Sequence, residues 1–146
     1  MAGMRMLVSC LLILAVGFAT AQQMTIVSPA KGAVLSPGQK TDFELHFTST
    51  TSSVKTVAVT LGFKSLKDNA PKESVGHVLK TIYASDLHID PKTLSYKFST
   101  ILPEAKDFTA GVSSTPYDLV LSQYLLLGAT QSPMLYSNST EVTVKK

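Results

Sequence analysis

The chain predicts an all-β fold, a single antiparallel β-sandwich of about seven strands. Two observations carry that prediction. Apolar and polar residues alternate with period two in one run after another, as strands with one buried face require. Turn-forming residues fall between the runs, and almost no helical period is present.

Each element follows from its own residues. Residues 25–28 are a short first strand that stops at Pro29, which has no N–H for a ladder. Pro37-Gly38 fits the two central positions of a type II turn, where Pro presets φ and Gly accepts φ > 0. Phe43, Leu45 and Phe47 alternate with Asp42, Glu44 and His46. The Ser/Thr stretch 48–53 leads to Val57, Val59, Leu61 and Phe63, which alternate with Ala58, Thr60 and Gly62. A polar connection, 64–74, contains Asn69 and Pro71, and 76–84 is a further, less regular β-like run. Asp90-Pro91 breaks the chain before a strand carrying Leu94, Tyr96 and Phe98. Residues 104–116 are irregular, with room for one helical turn around 105–108. Val142 and Val144 alternate with Thr143 and Lys145 in the last strand. Strands at this spacing suit the immunoglobulin or fibronectin III arrangement, although the Trp and the Cys pair that mark immunoglobulin domains are missing.

Residues 117–129 stand apart. As a strand, one face carries Tyr117, Leu119, Leu121, Leu125 and Leu127, and the other carries Val120, Tyr124 and Leu126. A central strand with its second face covered by a loop accounts for this pattern. So does an exposed Tyr124/Leu126 patch that binds another protein. A short buried helix is a third arrangement, which periodicity alone does not separate from the others.

The first residues indicate where the chain works. Residues 1–6 carry one positive charge, Arg5, and 7–18 are an apolar run too short to span a bilayer. Ala19-Thr20-Ala21 then supplies the small-x-small pattern cut by signal peptidase. Residues 1–21 are therefore expected to be a cleaved signal peptide, and 22–146 a secreted, extracellular domain. Mitochondrial import would want an Arg-rich amphipathic helix, and this segment has one Arg. The single cysteine, Cys10, lies in that leader, so the secreted domain must stand on an apolar core without disulfides. The segment 141–146 has no apolar tail, so no membrane anchor is expected. A formal net charge of +3 is too balanced to imply nucleic acid or an acidic membrane surface.

Enzymatic chemistry finds little support. There is no Gly-x-Ser-x-Gly, no phosphate loop and no His-Glu-x-x-His, and no cofactor is called for. The best candidate for chemistry is Asp86-x-His88-x-Asp90. If extended, it puts two carboxylates and an imidazole on one face, with Leu87 and Ile89 on the other. Such a face could offer metal ligands. It could equally be the solvent face of an edge, its charges discouraging strand pairing. Asn138-Ser139-Thr140 is an N-glycosylation sequon, which predicts an exposed turn before the last strand.

The order of short motifs points to a family. Val57-Ala-Val-Thr-Leu-Gly-Phe63 is followed by Ser74-Val-Gly-His-Val-Leu79. Then come Tyr124-Leu-Leu-Leu-Gly-Ala129, a Pro-Met-Leu135 step and Asn138-Ser-Thr-Glu-Val-Thr-Val144. This order resembles the fungal necrosis-inducing secreted protein family, effectors first known for provoking plant cell death. The resemblance implies a non-enzymatic effector, apoplastic or host-delivered, that binds a host protein of the plant receptor-like kinase class and blunts immune signalling. It carries over no catalytic or contact residue. A second resemblance lies at the start, where Ser28-Pro-x-x-Gly and Pro37-Gly-Gln look like the N-terminal domain of yeast cell-wall β-1,6-glucan assembly proteins. That likeness implies a wall-associated glucan-binding or structural module.

Overall fold

The computed structural model describes residues 23–48, 53–67, 69–71 and 73–146. The expected signal peptide and most of the Ser/Thr stretch 48–53 lie outside the described residues. Among the described residues there are eight strands: β1 (Met24–Ser28), β2 (Val34–Leu35), β3 (Lys40–Phe47), β4 (Val54–Ser65), β5 (His77–Tyr83), β6 (Ser95–Ile101), β7 (Thr115–Leu127) and β8 (Ser132–Val144). They form a three-stranded sheet, β1-β3-β6, and a five-stranded sheet, β2-β8-β7-β4-β5.

The alternation read from the sequence builds the core. Phe43, Leu45 and Phe47 of β3 meet Val59, Leu61 and Phe63 of β4, and all six are buried. Tyr117, Leu119 and Leu121 of β7 and Val142 and Val144 of β8 complete the same cluster. Residues of both sheets thus share one apolar interior, which is what burying one face of each sheet demands. Phe98 stacks on Phe43 with ring centroids 5.1 Å apart, and the Lys80 ammonium lies 4.7 Å from the Phe98 centroid. The ammonium thereby sits over an aromatic face as a cation–π contact.

The turn at Pro37-Gly38 forms as expected: Gly38 has φ +71°, and the Gln39 amide donates to the Ser36 carbonyl at 3.3 Å. The helical turn expected near 105–108 is a 3-10 turn, Ala105–Asp107.

Three expectations are corrected. The sheets are not wholly antiparallel, because β2 pairs in parallel with β8. After Pro29 the chain leaves the smaller sheet, turns at Gly32 and joins the larger one. The last strand is far longer than 142–144, and Asn138 lies inside it and not in a turn. Only Val142 and Val144 of β8 are buried, so the earlier part of that strand carries no apolar alternation to reveal it. Finally, 117–129 does not contain a buried helix; β7 runs straight through to Leu127, flanked by β4 and β8.

Two polar arrangements fix the core. Gln123 is 2% exposed on the inward face of β7. Its Oε1 accepts from the Met24 amide at 3.2 Å and its Nε2 donates to Thr56 Oγ1 at 3.0 Å. One side chain thus ties the first strand of the smaller sheet to the middle of the larger one. The second arrangement is at Tyr117. The Ala110 amide donates to its hydroxyl at 2.8 Å, and that hydroxyl donates to the Gly111 carbonyl at 3.2 Å. Tyr117→Phe keeps the ring but leaves that amide and carbonyl without their partner. It is expected to cost about 1–3 kcal/mol, read as a fall in denaturation midpoint with an unchanged m-value.

Candidate binding face

The outward face of the five-stranded sheet is set by the same alternation. Val59 and Ile82 point inward and pair with each other across β4 and β5. Their neighbours Ala58 and Tyr83 therefore point outward as a pair. Ala58 also pairs with Tyr124, and Tyr124 pairs with Leu135 of β8. Tyr83, Ala58, Tyr124 and Leu135 thus form one row across four strands. Three of them are large and open to solvent: Tyr83 is 61% exposed, Tyr124 42% and Leu135 55%. Leu126 pairs with Lys55 and Pro133 in the next outward row and is half-buried.

On the other side of the apolar row lies a row of hydroxyls. Thr81 pairs with Thr60, Thr60 with Ser122, and Ser122 with Ser137. Thr60 and Thr81 are hydrogen-bonded at 3.2 Å, and Ser122 and Ser137 at 3.4 Å.

Beyond the hydroxyls the face closes. Val120 is only 3% exposed. The connection from β4 to β5 folds back here. A Cβ on Gly62 would strike the carbonyl oxygens of Val75 and His77, so the loop backbone lies directly on β4 at that point. The covered and the exposed arrangement of the second face are therefore both present along β7. A loop covers its Val120 end, and the Tyr124 end is open. Tyr124 and Leu126 do share a face, as expected. Tyr83 and Leu135 were missed, because each sits in a run whose register only the paired sheet reveals.

The other sequence candidates fall elsewhere. Residues 84–86 form a turn, not an extended edge, with the Asp86 amide donating to the Tyr83 carbonyl at 2.9 Å. Leu87 and Ile89 pack on the core, while Asp86, His88 and Asp90 are exposed. Asp86 accepts from Ser85 Oγ at 3.4 Å, and Asp90 accepts from the Lys92 amide at 2.8 Å. Among the described residues no group of three His, Cys, Asp or Glu side chains is placed to hold a metal ion. Asn138 is exposed on β8, opposite Leu121. A shallow cavity of about 320 Å³ beside it is lined by Lys64, Glu73, Asp118 and Val120. Among the described residues no helix is long and apolar enough to cross a membrane.

No family model matches the chain, and no curated protein matches it. Among solved structures, a superoxide reductase (neelaredoxin) from Ignicoccus hospitalis is similar at a TM-score of 0.42 and 9% identity, covering 83% of this chain and 81% of that one.

Proposed function

We propose that the chain is a secreted, non-enzymatic binding domain that engages another protein through the outward row Tyr83, Ala58, Tyr124 and Leu135. The observation that carries this reading is local. One half of the sheet face is covered by a loop, while the other half leaves two tyrosines and a leucine exposed in one row. Aromatic side chains so placed bury large areas at low entropic cost and are the usual anchors of protein interfaces. The resemblance supplies the class: a fungal effector whose partner is a plant receptor-like kinase, delivered through the secretory leader 1–21.

We read the fold more finely as a β-sandwich of the immunoglobulin or fibronectin III kind. The strand order β8-β7-β4-β5 corresponds to G-F-C-C′, and β1-β3-β6 to A-B-E. Tyr117 stands near the start of the F-like strand with its hydroxyl bound to backbone just upstream, as in a tyrosine corner. Leu119, two residues on, takes the position that holds a cysteine in antibody domains.

The test is recovery of plant receptor-like kinases from extract by the wild-type protein and by Tyr124→Asp. A desolvated tyrosine anchor is worth about 2 kcal/mol or more, so the variant should bind roughly thirtyfold more weakly. Its melting temperature should be unchanged, since the side chain is exposed. Absence of any such kinase from the wild-type sample rejects this partner class.

A second reading is favoured by one observation. Tyr83 and Tyr124 lie two strands apart, roughly 10 Å, next to a row of hydroxyls. That spacing suits stacking on neighbouring sugar rings of a wall glucan. Retention on insoluble β-glucan, lost on Tyr83→Ala, would move the protein to the wall.

A further inference from the structure

We propose that the free edge of β8 is a strand-pairing interface for a second copy of this chain, closing a two-fold dimer. Among the described residues, β2 is the strand that occupies that edge, and it does so at Thr143 and Val144. The loop before β2 reaches one step further, where the Gly32 amide donates to the Glu141 carbonyl at 2.8 Å. The Thr143 amide donates the other way, to the Ala33 carbonyl, also at 2.8 Å.

These two bonds fix which backbone groups face outward. N–H and C=O of one residue point to the same side of a strand, and the side alternates along it. Glu141 and Thr143 face away from β7, and the β7–β8 register runs unbroken from Val144 to Ser132. Ser139, Ser137, Leu135 and Pro133 therefore also face away from β7. Pro133 offers a carbonyl alone, and the other three offer an amide and a carbonyl each.

Other edges carry charges, a register shift or a terminating proline that discourage pairing, whereas on this one the sole such device is Pro133, at its far end. β6 bears Lys97, and β5 bears Lys80 and is interrupted by a register shift. β1 ends at Pro29. Residues 132–140 of β8 carry no charge at all, and Met134 and Leu135 stand exposed on them. A long, uncharged, partly apolar edge is a template for another strand. The same edge already accepts β2 further along.

The missing charge also selects the occupant. In a two-fold antiparallel pair each residue meets a residue of the same segment, so a charged edge would set like against like. An edge without charge meets no such penalty. Centred on Ser137, the pairing places Leu135 opposite Ser139 of the second copy and forms about six backbone hydrogen bonds. The two larger sheets then become one continuous sheet, and no free β8 edge is left to add a third copy.

Asn138 lies one residue from that centre, so the experiment removes its sequon first. The full reading frame carrying Asn138→Gln is expressed in yeast and purified, and its mass in solution is measured over a range of concentration by light scattering. Two further variants are built on it. Ser137→Pro deletes an outward amide without touching the β7 ladder, and Leu135→Lys places a charge on the edge. Melting temperatures confirm that each variant folds. The expected result is a concentration-dependent monomer–dimer equilibrium in the Asn138→Gln protein, with the dimer lost in at least one folded edge variant. Slowed amide exchange at Leu135, Ser137 and Ser139 with rising concentration is expected alongside. A protein that stays monomeric, one that forms open-ended oligomers, or a dimer that survives both edge variants would overturn the proposal.

Discussion

Gly62→Ala is expected to destabilise the protein by about 3 kcal/mol, because the new methyl group has no space to occupy. Gly62 sits in the middle of β4 on the outward face. Its added Cβ would meet the carbonyl oxygens of Val75 and His77, which are backbone and not the ends of flexible side chains. The loop has little freedom to retreat. Gly76 sits at φ +67°, a conformation that L side chains rarely adopt, and presses on the Phe63 carbonyl from the other side. The two glycines let strand and loop lie back to back, and a methyl group on either one pries them apart. At about 4 °C per kcal/mol for a domain of this size, Gly62→Ala should lower the melting temperature by roughly 12 °C. Gly38→Ala is the comparison. Gly38, unlike Gly62, has a positive φ, and nothing lies within 4 Å of an added Cβ, so only the conformational term is expected there, about 1 kcal/mol. Equal costs at the two positions would mean that the loop does not rest on β4 in solution.

Phe108→Ala is expected to cost about 3–5 kcal/mol, although the residue lies in an irregular connection and in no strand. Its ring is 5% exposed and meets Phe63 and Tyr117 edge to face, each at a centroid distance of 5.3 Å. It is the middle ring of three, joining a residue of β4 to one of β7. Removing it opens a cavity between two buried rings, and neither can collapse without leaving its strand. Tyr117 would also lose the contact that holds its hydroxyl toward Ala110 and Gly111. Chemical denaturation read by tyrosine fluorescence measures the loss. A cost below about 1 kcal/mol would place Phe108 outside the packed core.

Sequence legibility in this chain tracks burial. Where both sheets face each other, as at Phe43–Phe47 and Val59–Phe63, alternation is strict and the strands are readable. Where a strand runs past the smaller sheet, the pattern vanishes. Residues 132–140 continue the ladder with β7 but are largely exposed, so nothing in their composition announces a strand. Gln123 illustrates the converse. It is a polar side chain inside the core, and it is buried because the Met24 amide and Thr56 hydroxyl supply its partners. The outward row was half legible. Tyr124 and Leu126 follow from the alternation within β7 alone. Tyr83 and Leu135 join them only through cross-strand register, and a register shift at Leu61/Gly62 hides the phase of β5 from any count along the chain. The Asp86-x-His88-x-Asp90 spacing offers metal ligands only if extended, and the turn at 84–86 takes Asp86 out of such a run.

The hydrogen bond between Met24 and Gln123 also bears on the order in which the protein can assemble during its synthesis. The two residues are 99 positions apart. A ribosome adding 5–20 residues per second needs about 5–20 s to cover that distance. For all of that time β1 can pair with β3 but has no anchor in the larger sheet, and the Met24 amide has only water to bind. β2 waits longer still, since its partners are Thr143 and Val144. Both N-terminal strands are thus early to be made and late to be secured, the order expected of a fold whose closing contacts are its most distant ones.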